Sequence, residues 1–384
     1  MRHPSISGER AFIVSLRKRL TGDKKRKPSR TRRDITTRSS SLVAMGIGDD
    51  CAVLRPPAGN DVLVTTDFTL ESVHFRREWH TPEAVGHRCL ARGLSDLAAM
   101  GANPLAAFLS LALPVELVRS RGGQPSWRDR FFDGFLSLAN KYKVPLAGGD
   151  TAGSPLIAAA SRRNRQDRRE TVTGLGLMDV VLVGTAPRGR ALRRSTAKVG
   201  DRIFVTGYLG GAAAELAQLG SHHRRFRSAT AATAEAGAPN PHPHLFPEPR
   251  LAVGEWLLKN HRASSAIDIS DGLSTDLDHL CEESGLGATV DASAIPIHPI
   301  AQRVAGTDRD KVLHFALHGG EDYELLFTAS PKIHVPRRIA GVPVTCIGEM
   351  RADKSRTPRV ELVDVIEGRE HARPLPPGGW EHFT

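Results

Sequence analysis

The chain alternates short apolar runs of strand length with longer stretches in which apolar residues recur every three or four positions. Asp61 to Thr66 reads as a buried strand delivering Asp67 at its end, and Thr81-Pro82-Glu83 then supplies an N-cap with proline at the first helical position. The spacing predicts a helix to about Gly101, with Val85, Leu90, Leu94, Leu97 and Ala98 on its apolar stripe. Asp96 falls off that stripe, where it can face a site. Leu105 to Leu113 predicts a strand, Trp127 to Tyr142 a helix, and Val144 to Ala147 a short strand running into Gly148-Gly149-Asp150. Two further strands, near Leu156 and from Val172 to Val183, follow. Pro187 and Gly189 then break the pattern.

Beyond that break, Asp201 to Thr206 predicts a strand, followed by an alanine-rich helix to about Leu219. Ser265 to Ser270 predicts another strand, Ser274 to Ser284 a helix, and Tyr323 to Thr328 and Val342 to Ile347 two more strands. Residues 220–249 are polar and rich in His and Pro, and read as a long mobile excursion. His222, His223, His242 and His244 lie in it and are expected to be solvated. The mixture of strands and helices predicts an α/β (α+β) protein. With 384 residues and 40% hydrophobic content it is long enough for two domains, 41–186 and 187–384, behind a basic segment 1–40 that carries one helix and is partly disordered.

Charge changes the picture only at the edges. The net charge of +11 resembles a nucleic-acid signature until it is divided along the chain. Residues 1–40 carry thirteen Lys or Arg against three acids, and the insertion 161–170 carries five against two, so the rest of the chain is left at −2. The body is therefore not a polyanion binder, and nucleic acid is at most a weak partner of the basic tail. No apolar run approaches the ~20 residues that span a bilayer, and Phe12-Ile13-Val14 is too short for a signal core. A cytoplasmic location is expected. Cys51, Cys89, Cys281 and Cys346 form no CxxC pair and read as reduced packing residues.

The candidate chemistry lies in acids placed at or near the ends of apolar or glycine-rich runs: Asp49, Asp50, Asp67, Asp96, Asp150, Asp268 and Asp271. Carboxylates gathered this densely repel one another unless divalent cations sit between them, which points to oxygen ligands for Mg²⁺ and phosphate. Gly-Gly pairs beside acids, at 148–150, 210–211 and 319–321, let backbone N–H groups approach phosphate oxygens. There is no G-x-x-x-x-G-K-[ST] loop, no H-R-D or D-F-G set and no G-x-S-x-G elbow. Walker-type, protein-kinase-type and serine-hydrolase chemistry are accordingly set aside.

Several segments, in order, resemble the thiamine-monophosphate kinase family: Gly46 to Leu54 (GIGDDCAVL), Thr65-Thr66-Asp67 with His74, Leu94 to Ala102 (LSDLAAMGA), Gly148 to Thr151 (GGDT), Arg190 to Ser195, Ala266 to Leu273 (AIDISDGL), Gly319 to Leu325 (GGEDYEL), Cys346-Ile347-Gly348 and Gly379 to Phe383. The resemblance covers roughly residues 42–384. It implies a two-domain fold like that of aminoimidazole-ribonucleotide synthetase, with an N-terminal domain that dimerises through its β-strands and a C-terminal α+β domain. It further implies ATP-dependent phosphorylation of thiamine monophosphate to thiamine diphosphate by a homodimer, with several Mg²⁺ ions, ATP as co-substrate and no catalytic general base. On this resemblance the metal ligands are Asp50, Thr65, Thr66, Asp67, Asp96, Asp150, Asp268 and Asp271; Gly149, Asp150, Arg194 and Ser270 bind ATP; His74, Glu321 and Trp380 bind the thiamine phosphate. An indole at 380 suits a thiazolium cation and a pyrimidine, both of which stack on an aromatic face. After Asp150 the chain departs from the family pattern, reading Thr151-Ala152-Gly153-Ser154-Pro155 where a second Thr and an Arg are common. A sister enzyme with another acceptor, and a protein acting through its basic tail, are the competing readings.

Overall fold

A computed structural model describes the chain apart from residues 1–15, 17–41, 121, 155, 160–170, 222–237, 354–358, 367–368 and 381–384. The basic segment, the insertion 161–170, His222 and His223 thus lie outside the described residues, Leu16 excepted. Strands β1 (Val43–Met45) and β2 (Val53–Leu54) form a small ribbon. A four-stranded sheet follows, built from β3 (Asn60–Leu70), β4 (Asn103–Leu113), β5 (Leu146–Gly153) and β8 (Leu177–Pro187) in the order β3-β8-β4-β5. Its β4 and β5 run parallel and its other neighbours antiparallel. A separate pair is formed by β6 (Leu156–Ala159) and β7 (Thr171–Gly174).

The second sheet has the order β10-β12-β9-β14-β11-β15-β16, with β13 on β14. Its strands are β9 (Arg202–Thr206), β10 (Ser265–Ile269), β11 (Leu286–Asp291), β12 (Glu324–Ala329), β13 (Arg338–Ile339), β14 (Val342–Ala352), β15 (Val360–Ile366) and β16 (Arg369–Pro374). Helix α1 (Pro82–Ala99) lies between the two sheets, in contact with β3 and β8 of the first and β10 and β12 of the second. Its start is the one the sequence predicts: the Thr81 hydroxyl accepts from the Ala84 N–H at 3.2 Å and Pro82 opens the first turn. Because neighbours surround it, even Arg88 on this helix is buried.

Helix α2 (Trp127–Lys141) crosses α1, and a capping box between Ser126 and Asp129 fixes its start. The crossing depends on glycine. A Cβ at Gly134 would lie 1.9 Å from the Glu83 carbonyl oxygen, and one at Gly86 would lie 1.9 Å from that of Phe131. Gly134→Ala must therefore push the helices apart, and an unfolding titration is expected to register a loss of about 1–3 kcal/mol. Five further helices are α3 (Gly211–Ser221), α4 (Leu251–Lys259), α5 (Leu273–Ser284), α6 (Pro299–Ala305) and α7 (Arg309–His318).

Three expectations are corrected. The strand beginning near Asp61 runs on to Leu70, and one of its faces is not buried: Val62, Val64 and Phe68 are exposed in the single chain. The strand expected at Val144 to Ala147 begins at Leu146 and carries Gly148, Gly149 and Asp150 within it. The close pairing with β4 allows this because Gly149 sits at φ +146°, where a Cβ would fall 1.9 Å from the Leu109 carbonyl oxygen. Finally, the end of the 220–249 stretch is packed, not solvated. His244 is buried, with its N–H donating to Glu215 at 2.8 Å, and His242 is half-buried with its Nδ1 on the same carboxylate.

Candidate active site

A cavity of about 520 Å³ opens where α1 meets the C-terminal ends of β3 and β10. Three of the five carboxylates that line it come from three regular elements: Asp67 of β3, Asp96 of α1 and Asp268 of β10. Each is held by a neighbour. Thr65 Oγ1 donates to Asp96, Ser95 Oγ donates to Asp268 at 2.7 Å, and Arg92 Nε stands 3.8 Å from Asp67 Oδ1. Burial, followed by the Asp96 charge, pushes both Asp67 and Asp268 up to about 7, and burial raises Asp96 as well. These are groups that resist ionising together in a partly dry space. An all-oxygen set of crowded carboxylates fits a hard divalent cation, whose charge would favour the ionised forms.

Beside them, the loop after Ile269 places Ser270 and Asp271 on the cavity wall. Asp276 shapes this loop: its Oδ2 accepts from the N–H groups of Ser270, Asp271 and Gly272 at 3.0, 3.1 and 3.0 Å, at the N-terminus of α5. The backbone oxygen of Asp271 in turn accepts from Trp380 N–H at 3.1 Å, which brings that indole to the cavity.

Glu321 completes the wall from a residue in the left-handed region, at φ 67°. Its N–H donates to the Ser270 oxygen at 2.7 Å, so the strain at 321 is set against a contact that fixes both loops. Its carboxylate meets Arg88 Nη2 at 2.6 Å and His244 Nδ1 at 3.2 Å. Burial opposes the charge on Glu321, but the Arg88 guanidinium and the His244 hydrogen bond outweigh it and hold the acid well below the usual carboxylate range. Arg88 also donates to the His74 carbonyl at 3.2 Å and to the His244 carbonyl. His74 is turned by its own strand end, with Nδ1 accepting from Leu70 N–H at 3.0 Å.

Of the residues the sequence singled out, the cavity collects Asp67, Asp96, Asp268, Asp271, Ser270, His74, Glu321 and Trp380, with Thr65 bonded to Asp96 behind them. It does not collect Asp50, Thr66, Gly149 or Asp150. The reason is the period of the strand: Thr66 and Asp67 are neighbours and point to opposite faces. Thr66 Oγ1 donates to Asp179 at 2.7 Å on the outer face, where Ser110 pairs with both Asp179 and Asp150. The ribbon β1–β2, which carries Asp49 and Asp50, packs on that same face through Val43, Ala52 and Leu54. Within a single chain the seven aspartates are therefore not brought to one place: Asp67, Asp96, Asp268 and Asp271 line the cavity, and Asp49, Asp50 and Asp150 lie off it. Arg194 is exposed and is not part of the cavity wall, although its charge is felt by Asp96 and Asp268. Arg88, Arg92, Trp79, His244, Asp179 and Asp276 were not found from sequence. Only Asp276 carried a local signal, as an acid in the first turn of a helix that follows a glycine.

The N-terminal domain of AIR synthase related proteins matches residues 48–176. The thiamine-monophosphate kinase of Salmonella typhimurium is 40% identical over 90% of this chain and 94% of its own length, and that of Escherichia coli K12 is 39% identical over 82% and 87%. The chain belongs to the thiamine-monophosphate kinase family. Solved structures agree in fold: the thiamine-monophosphate kinase of Stenotrophomonas maltophilia superposes with a TM-score of 0.66 at 32% identity, covering 84% of this chain and 92% of that one. AaThiL complexed with AMPPCP and TMP superposes with a TM-score of 0.66 at 26% identity, over 100% of this chain and 99% of that one. The expected aminoimidazole-ribonucleotide-synthetase-like, mixed α/β architecture is therefore that of a thiamine-monophosphate kinase. Among the described residues no helix is long and apolar enough to cross a membrane.

Proposed function

We propose that this cavity transfers the γ-phosphate of ATP in line to the phosphate of thiamine monophosphate, giving thiamine diphosphate and ADP. The observation that carries the reading is that one cavity is lined both by the acids Asp67, Asp96 and Asp268 and by His74, Glu321 and Trp380. The acceptor is a phosphate monoester with a second pKa of about 6, largely dianionic at neutral pH, so no general base has to remove a proton. Two dianionic groups ~4 Å apart repel by about 4 kcal/mol even at the dielectric constant of water. Mg²⁺ ions, when bound, would supply the neutralising charge between donor and acceptor. Asp67, Asp96, Asp268 and Asp271, with Thr65, are assigned as their ligands in the cavity. Ser270 and Arg194 are assigned to ATP, as is Gly149 from β5 outside the cavity wall, and His74, Glu321 and Trp380 to the thiamine phosphate.

The remaining assignments concern the outer face. Asp50, Thr66 and Asp150 are proposed as further metal ligands, with Asp150 also on ATP, in a homodimer that packs through this sheet. The exposed row Val62, Val64 and Phe68 supports such packing. Desolvating Asp150 and Asp179 there would require cations beside them. The enzyme is placed in the cytoplasm, as a step of thiamine diphosphate biosynthesis.

The acceptor assignment has a direct test in Trp380→Ala. The indole is 54% exposed at the cavity mouth, so its removal leaves the core intact. Thiamine monophosphate binding is expected to weaken about 10-fold while the affinity for an ATP analogue is kept. Equal loss of both ligands, or of neither, would oppose the assignment.

A further inference from the structure

We propose that Arg92 binds the phosphate of the acceptor directly, giving this site a metal-independent contact for a monoester dianion; this rests on the reading of the cavity as a thiamine-monophosphate site. Arg92 projects from α1 into the cavity, with its side chain 16% exposed. It stands between the two halves of the proposed chemistry: Nε is 3.8 Å from Asp67 Oδ1 and Nη1 is 3.5 Å from Glu321 Oε1. Both distances are long for a guanidinium beside a carboxylate, where ~2.7–2.9 Å is usual. Nε is buried and has no hydrogen-bond partner.

Glu321 does not need this second arginine. Arg88 already meets it at 2.6 Å and His244 at 3.2 Å. The two arginines, one helical turn apart, are therefore used differently. Arg88 spends its donors on protein: the Glu321 carboxylate and the carbonyls of His74 and His244. Arg92 keeps most of its five donors uncommitted at a cavity wall, and a buried guanidinium left so is costly unless a ligand completes it. The complement is an anion with two oxygens at fork spacing, which a phosphate monoester offers.

The acceptor is favoured over ATP by position and by charge. Arg92 leans on Glu321, which is assigned to the thiamine phosphate, whereas the nucleotide phosphates arrive with their own cations. The cavity wall carries the acids Asp67, Asp96, Asp268, Asp271 and Glu321 against two arginines, Arg76 and Arg92. On the Glu321 side Arg88 is committed to that carboxylate and to two carbonyls, so Arg92 is the cation beside Glu321 with donors left for an entering dianion.

The test compares thiamine monophosphate with unphosphorylated thiamine, by calorimetry on the full chain with Mg²⁺ and a non-hydrolysable ATP analogue present. Arg92→Gln is expected to weaken thiamine monophosphate by about 10- to 100-fold and thiamine by less than about threefold. Arg92→Lys, which keeps the charge but loses the fork, should recover part of the difference. Should Arg92→Gln fold poorly, as judged by its thermal midpoint, Arg92→Lys gives the same comparison between the two ligands. Thiamine and thiamine monophosphate weakening together would mean that Arg92 only props Glu321, and an unchanged preference would remove the contact altogether. A wild-type protein that binds neither ligand would instead overturn the reading of the cavity itself.

Discussion

Asp67→Asn is expected to lower turnover by at least about 10²- to 10³-fold while the folded protein, without metal, becomes no less stable. The two halves of this result have one cause. Asp67 is inside a cluster with Asp96 and Asp268, and burial together with the Asp96 charge raises it from 3.8 to about 7. A carboxyl raised on folding holds its proton in the native state over a range where the unfolded chain has lost it. Below about pH 4 both states are protonated and the group has no effect; as pH rises toward 7 the unfolded state ionises first, and stability is lost. Metal-free wild type should therefore lose thermal midpoint between pH 4 and 7, and Asp67→Asn should flatten that slope. The amide keeps the shape but gives up the charge that would hold a cation, so activity falls where stability does not. Thermal melts across pH, paired with steady-state rates, check both halves. A variant that loses stability and activity together would make Asp67 a structural group.

The second large effect is expected in the opposite sense. Arg88→Met should destabilise the protein by about 3–5 kcal/mol, because it removes a buried guanidinium and leaves the part-buried Glu321 carboxylate without its closest cation. Arg88 is only 2% exposed, and its removal strips Glu321 of a contact at 2.6 Å and leaves the His74 carbonyl, bonded at 3.2 Å, without that donor. Two residues assigned to the acceptor would thus lose their support at once, so the KM for thiamine monophosphate should rise as well. Adding Glu321→Gln to Arg88→Met should restore part of the stability, since the uncompensated charge is gone. Urea titrations of the two single variants and the double variant measure this coupling. Additive losses would mean that the two side chains act independently.

How far the site could be read from sequence depended on whether its determinants were local. Helix α1 was legible because Thr81 and Pro82 are adjacent to the turn they cap, and Asp96 could be picked out because it breaks a stripe of fixed period. Asp268, Asp271 and Glu321 were legible as motifs beside glycines. Thr66 and Asp67 show the limit of that reading. The alternation of a strand sends them to opposite faces, and this was available in the sequence, whereas the family resemblance named both as ligands without saying that they face different ways.

His244 failed for a different reason. Polar and proline-rich surroundings predict solvation, but what buries it is Arg88, 156 residues earlier, and Glu215, 29 residues earlier. Nothing near His244 in the chain announces either partner. Arg92 and Trp79 were hidden likewise, since a basic or aromatic residue on a helix or turn becomes a cavity wall only once two sheets close around it. The exposed face of β3 was misread because Val62, Val64 and Phe68 are as apolar as residues of a core, and the single chain leaves them uncovered.

The most direct test of the central claim follows the label from γ-³²P-ATP in the presence of Mg²⁺ and a panel of phosphorylated acceptors that includes thiamine monophosphate. The account predicts that label appears in thiamine diphosphate, on the phosphate distal to the thiazolium, and in no other acceptor at a comparable rate. Release of the label only as inorganic phosphate, or its preferred transfer to a different acceptor, would contradict it.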